Sequence, residues 1–217
     1  MAASTSKGVT VCMTKTGSTG TAITVTAVSK AKPAEITATN TLSDGDVVVF
    51  PTGATGFSEI DGKTWVVSGA TGAKFSLVGS DTTGATATFA AGANTPKGYK
   101  AADMVCLCWS SLGFNPESPQ TISVGTFCDP SAQIASSVTG AGTVDFGGYV
   151  DITADDYKAL VAAELDGGVH DFRITLPNNG FIVFKGSISS LNVDVPLEGA
   201  VAYSGQITLS SKPRHLF

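Results

Sequence analysis

Residues 170–217 read HDFRITLPNNGFIVFKGSISSLNVDVPLEGAVAYSGQITLSSKPRHLF. Phe172, Ile174 and Leu176 alternate with Arg173 and Thr175 up to Pro177-Asn178-Asn179-Gly180. The alternation then resumes, with Phe181, Val183, Lys185, Ser187 and Ser189 set against Ile182, Phe184 and Ile188. Period-two alternation about an Asn-Gly pair predicts a β-hairpin. A second unit follows: Leu191–Val195, the connection Pro196–Ala200, and Val201–Leu209. The expectation is therefore two hairpins at the end of the chain. Strands of this kind leave backbone edges, and edges are how one subunit pairs with another.

The rest of the composition agrees with β-structure. At 217 residues the chain can form one large domain or two small ones. Apolar residues make up 42%, enough for a packed core, while charged residues reach only 14%, against roughly 25% in average soluble domains. Net charge is −5. Residues 98–217 hold six Lys and Arg against twelve Asp and Glu, a net of −6, so the acidity belongs to this part. An acidic surface argues against ordinary nucleic-acid binding, which needs a basic footprint. No apolar run reaches the roughly 18–20 residues of a membrane helix, and the start of the chain has no signal-like apolar segment. Cys12, Cys106, Cys108 and Cys128 are expected as small buried hydrophobes in a reducing cytosol.

Three blocks emerge along the chain. Val9–Met13 reads as a strand, followed by linker-like residues to Thr21. From about Ala22 to Lys97, short strands are expected at Ile23–Val28, Ala34–Ala38, Asp46–Phe50, Lys63–Ser68, Lys74–Val78 and Ala85–Phe89, each bounded by turn residues. That spacing suggests a small barrel or sandwich, and the linkers at both ends suggest a domain inserted into a host domain. The third block opens with Met104–Trp109, passes through a polar stretch Ser110–Gln120, and continues with strands at Thr121–Phe127 and Val144–Ile152. A helix is predicted from Thr153 to Leu165: Thr153 as capping hydroxyl, Asp155 and Asp156 in the first turn, Tyr157, Leu160, Val161 and Leu165 at helical spacing, and Gly167-Gly168 as the stop.

Little in the sequence suggests catalysis. His170 stands beside Asp171 without a nucleophile motif, and His215 lies near the end. Asp155-Asp156 is explained by the helix start, and Asp44-Gly45-Asp46 lacks the spaced ligands of a calcium loop. Gly53-Ala54-Thr55-Gly56 and Gly69-Ala70-Thr71-Gly72 lack the Lys and the helix of a phosphate loop. Trp65 and Trp109 read as core, with a sugar platform on Trp65 as the rival. No catalytic, cofactor or metal residue is expected.

The third block resembles the major tail tube protein of long, non-contractile-tailed bacteriophages. The resemblance rests on Thr121–Pro130, Gly147-Gly148-Tyr149-Val150-Asp151, the helix 155–165, Phe172–Gly180, Gly186–Leu191 and Pro196–Gly205, in order and spacing over some 120 residues. It implies a two-sheet β-sandwich or barrel with one flanking helix. It also implies hexameric rings whose inner walls are continuous β-barrels, stacked into a tube that conducts DNA. The middle block resembles the small β-barrel called FCCH in ubiquitin-activating enzymes, through Lys32–Ile36, Leu42–Val48, Gly53–Lys63 and Lys74–Leu77. Its ubiquitin chemistry is not carried over.

The fold expected is mainly β (α+β), with residues 1–20 and 98–217 as a tail tube domain and 21–97 as a small all-β insertion on the tube exterior. The expected role is a virion structural protein that is not an enzyme and binds no cofactor. It is made in the host cytoplasm, with itself and other tail proteins as partners, no membrane, and DNA passing without specific binding. The alternatives are the inner tube of a contractile injection machine and a surface adhesin or carbohydrate-binding β-domain. Acidic residues repel phosphates, so Asp145 and Asp151, then Asp194 and the turn residue Glu198, are the candidate bore-lining groups. Leu112, Phe114, Asn115, Pro116 and Glu117 are the candidate loop between rings.

Overall fold

A computed structural model describes residues 8–92, 94–116, 122–126, 129–135 and 141–217. Its strands in chain order begin with β1 (Thr10–Thr14), β2 (Thr21–Ala22), β3 (Val25–Val28), β4 (Glu35–Ala38) and β5 (Val47–Val49). Next come β6 (Thr64–Ser68), β7 (Lys74–Leu77), β8 (Lys97–Tyr99), β9 (Met104–Leu107) and β10 (Trp109–Asn115). They are followed by β11 (Ile122–Thr126), β12 (Asp129–Ala135) and β13 (Thr143–Tyr149), then the helix α1 (Asp155–Asp166). The chain closes with β14 (His170–Thr175), β15 (Phe181–Asp194), β16 (Ala202–Leu209) and β17 (Arg214–Leu216). The protein is mainly β, with one α-helix among the described residues.

Two large sheets form. The first has the order β10-β13-β16-β15-β14-β1-β9, with β17 also on β15; the second has the order β2-β8-β5-β6-β7-β4-β3. β11 and β12 pair with each other as a separate ribbon.

The Asn-Gly turn is where the sequence puts it: Asn179 takes positive φ, 59°, between β14 and β15. The two expected hairpins are instead one three-stranded meander. β15 is a single strand of 14 residues, pairing with β14 along its first part and with β16 from Gly186 to Asp194. A bulge at Ser189 lets it serve both.

This long strand divides the first sheet into two halves that share one core. Phe172, Ile174, Phe184, Phe146, Ile188 and Ile207 fill that core, with Leu160 and Ala163 of the helix packed against it. Trp109 stacks on Phe146 with centroids 4.6 Å apart, and Phe172 stacks on Phe184 at 4.9 Å. Gly205 is required here: a Cβ on it would come within 2.6 Å of the Ser190 carbonyl and strike the Phe146 ring.

The second sheet has its own core around Phe50, Phe57, Trp65, Phe75 and Leu77, joined by Val183 and Leu216 from the first sheet. It covers the outer face of the β14–β1 half, where Cys12 and Met104 pack with Val47.

Several local expectations are corrected. Ser110–Asn115 is not part of a polar loop: it belongs to β10, paired with β13. Ala85–Phe89 forms no strand, whereas Lys97–Tyr99, expected as linker, does. Thr153 does not cap the helix; its hydroxyl donates to Asp151 (2.6 Å), and the N-cap position is Ala154. Gly167 does end the helix, in the left-handed conformation at φ 62°. The cysteines are not a buried set of free thiols: Cys12 is buried but disulfide-bonded to Cys106, and Cys108 is exposed.

Candidate functional site

The half-sheet β10-β13-β16-β15 has one face on the core and one face that the described residues leave bare. Direct cross-strand partners share a face, so the register gives the bare face row by row. Asn115, Thr143, Thr208 and Ser187 form the first row; Gly113, Asp145, Gln206 and Ser190 form the second. Ser111, Gly147, Ser204 and Asn192 form the third, and Tyr149, Ala202 and Asp194 the fourth. The opposite rows, such as Phe114, Val144, Ile207 and Ile188, carry the apolar side chains. The alternation is the ordinary one for a sheet solvated on one side.

The bare face is stitched by side-chain hydrogen bonds. Asn115 Nδ2 donates to Asp145 Oδ2 (2.6 Å) and Gln206 Nε2 donates to Asp145 Oδ1 (2.9 Å). The Ser189 hydroxyl donates to the Gln206 carbonyl (3.0 Å). A polar ladder therefore crosses all four strands with Asp145 at its centre. The charged groups in these rows are Asp145 and Asp194; none is a cation.

Among the described residues, both sides of this half-sheet are unpaired. β10 bonds there only to β13. On β15, the edge that β14 occupies up to Gly186 is open from Ser187 to Asp194. The open runs are seven residues (β10) and eight (187–194) long, each about 25 Å at the rise of a strand.

The structure separates the four carboxylates expected to act together. Asp145 and Asp194 share the bare face. Asp151 does not, because β13 ends at Tyr149; Asp151 accepts from the Thr153 amide (2.9 Å) and hydroxyl, bonds that lower its pKa. Glu198 lies between β15 and β16, in the turn beyond the sheet. Of the candidate loop between rings, Leu112, Phe114 and Asn115 are in β10, with Phe114 edge-on to Phe184. Pro116 follows the strand, exposed, and Glu117 lies outside the described residues. Gln206 and Ser189 were missed in the sequence, and Asn115 was read as part of a loop between rings; only a correct strand register, which β10 hid, could have aligned them with Asp145.

His170 is buried, with Nδ1 3.0 Å from the Thr14 carbonyl. Trp65 is 2% exposed and donates to the Ile60 carbonyl (3.1 Å), which removes it as a sugar platform. Among the described residues, no three His, Cys, Asp or Glu are grouped to hold a metal ion. No helix among them is long and apolar enough to cross a membrane.

No protein-family model matches the chain, and no curated protein matches it. Among solved structures, it is similar to a chain from the tail of an empty gene transfer agent particle, reconstructed by helical refinement with C6 symmetry. The identity is 15% and the TM-score 0.39, over 54% of this chain and 89% of that one. It is also similar to a chain from the virion of a native gene transfer agent particle, at 18% identity and a TM-score of 0.34, over 49% of this chain and 82% of that one.

Proposed function

We propose that this chain is a structural, non-enzymatic virion protein: a phage tail tube subunit that joins its copies edge to edge into stacked rings. The observation that carries this reading is the bare half-sheet with two open edges. Its four strands are antiparallel throughout, so β10 and β15 run in opposite directions. Rotating one copy about an axis parallel to the sheet sets β10 of one against 187–194 of the next as an antiparallel pair. Such a head-to-tail contact closes into a ring when the rotation divides a full turn. The bare face then lines the inside. The sequence resemblance to tail tube proteins supports six copies per ring and a bore that carries DNA.

The polar face suits a conduit. Small hydroxyls, amides and two carboxylates offer phosphates no cation to hold. That residues 21–97 cover one half of the sheet and leave the other half bare supports a position for the module on the tube exterior. Thr21 and Gly98 are direct partners in β2 and β8, so the module leaves and rejoins its host at one point.

Electron microscopy of the purified protein at rising concentration tests the proposal. Rings or tubes with a β-walled bore are expected. A folded protein that stays monomeric at millimolar concentration counts against it.

A further inference from the structure

The chain has thirteen Lys and Arg, and four of them line one cavity. It lies where β6, β15 and the 211–214 segment meet, with a volume of about 70 Å³. Lys63, Lys185, Lys212 and Arg214 line it, with Thr64 and Ser211 and with Val183 and Phe184 as its apolar wall. This is a concentrated positive site in a protein of net charge −5.

The counter-charges do not match. Asp171 lies 3.7 Å from Lys185 and is the one carboxylate among the described residues in an ion pair with any of the four. The Lys63 ammonium instead donates to the carbonyls of Ser58 (3.0 Å) and Glu59 (2.8 Å), with the carboxylates of Glu59 and Asp61 acting from further off. Arg214 donates to the Thr64 carbonyl (2.9 Å) and lies over the Trp65 ring at 3.8 Å. Lys212 is exposed and has no ion pair among the described residues. Burial and then the charge of Arg214 lower the pKa of Lys63, and burial lowers that of Arg214. Like charges are thus held together and partly desolvated, an arrangement that calls for an anion.

We propose that this cavity binds a single oxyanion: a phosphate, sulfate or carboxylate group. Its volume of about 70 Å³ exceeds the roughly 10–15 Å³ that one water needs, so it has room for one small group. A nucleotide or sugar needs a pocket of roughly 300 Å³ or more. Arg214 offers a planar fork and the lysines offer point charges, the usual pairing for tetrahedral or planar oxyanions. The site joins the second sheet, through Lys63 and Thr64, to the first, through Lys185, so a bound anion would tie the two together.

Thermal unfolding of the full chain in sodium phosphate against sodium chloride, at one pH and one ionic strength, tests the site. Phosphate at about ten times its Kd is expected to raise Tm by about 3 °C. Lys212→Ala, on an exposed residue, is expected to weaken the apparent affinity about five-fold or more, and Lys212→Glu to abolish the response. Lys74→Ala, far away and paired with Glu35, is expected to respond like the wild type. Sulfate and acetate at the same ionic strength tell which oxyanion geometry is preferred. Equal Tm in phosphate and chloride overturns the proposal. So does an undiminished phosphate response in Lys212→Glu, or a loss in Lys74→Ala equal to that in Lys212→Ala.

Discussion

The Thr64 hydroxyl donates a 2.6 Å hydrogen bond to Oδ1 of Asp171, a residue 107 positions later in the chain. It joins β6 of the second sheet to β14 of the first. Asp171 is 9% exposed and also faces Lys185. Thr64→Val leaves that carboxylate short of a donor, and a loss of about 1–3 kcal/mol is expected in urea unfolding.

The same carboxylate sets a pH dependence. Burial raises the Asp171 pKa above the usual carboxylate value, with Lys185 and Thr64 opposing. The folded chain therefore holds this proton more tightly than the unfolded chain. Stability from this group grows as pH falls from the folded pKa toward the unfolded value of about 3.9. Asp171→Asn removes the titration. Measured from pH 7 to pH 4, the wild type should gain stability relative to the Asn variant.

Gly205→Ala tests the packing of the sheet core. The new methyl would meet the Phe146 ring and the Ser190 carbonyl, which is backbone and cannot step aside. A loss of about 1–3 kcal/mol is expected, read as a Tm lower by several degrees. An unchanged Tm would mean that Phe146 is not seated over residue 205.

How far the sequence revealed this fold depends on which faces each strand buries. The hairpin at 177–180 was legible because Asn-Gly fixes its turn. β10 was not: none of its residues is fully buried, and Leu112 and Phe114 stand among Ser110, Ser111, Gly113 and Asn115, which read as loop. β15 was split in the reading because the bulge at Ser189 reverses the alternation, so that inward positions change from Phe184 and Ile188 to Leu191. Of the candidate site, Asp145 was legible as a strand carboxylate. Its neighbours Asn115 and Gln206 were not, because they come together only through the pairing of strands distant in sequence.

Asp145 separates stability from function. It is exposed, so Asp145→Ala, which removes its bonds from Asn115 and Gln206, should cost no more than about 1 kcal/mol of unfolding free energy. Asp145→Lys should likewise fold, yet if the proposed tube is right it repeats a cation around the inner wall of assembled particles. DNA co-sedimentation with the Lys variant is expected to rise and to fall off steeply with salt, a behaviour absent from the wild type.

The disulfide gives a direct chemical check. Cys12 and Cys106 are direct partners of β1 and β9 and are bonded across 94 residues. A non-reducing peptide map should recover them as one linked species, with Cys108 free to alkylate. Reduction is expected to lower stability by about 2–5 kcal/mol. Recovery of both as free thiols from protein purified without reductant would remove this link.

Deletion of the module tests how independent the two sheets are. Since Thr21 and Gly98 are register partners, a short Asn-Gly turn can replace residues 22–97 without moving the host strands. The first-sheet core around Phe146, Phe172 and Phe184 lies within the retained residues. The deletion does uncover Val183 and Leu216, which pack in the second core. It also strips Thr64 from Asp171 and the Gly45 carbonyl from Arg173. The expected product is folded, β-rich by circular dichroism, and less stable than the full chain. Val183→Thr with Leu216→Gln should restore its solubility, because those two positions then face water. If the proposed tube is right, its tubes are thinner outside with an unchanged bore. Unfolded protein from both deletion variants would show instead that the second sheet is part of the fold that makes the first one possible.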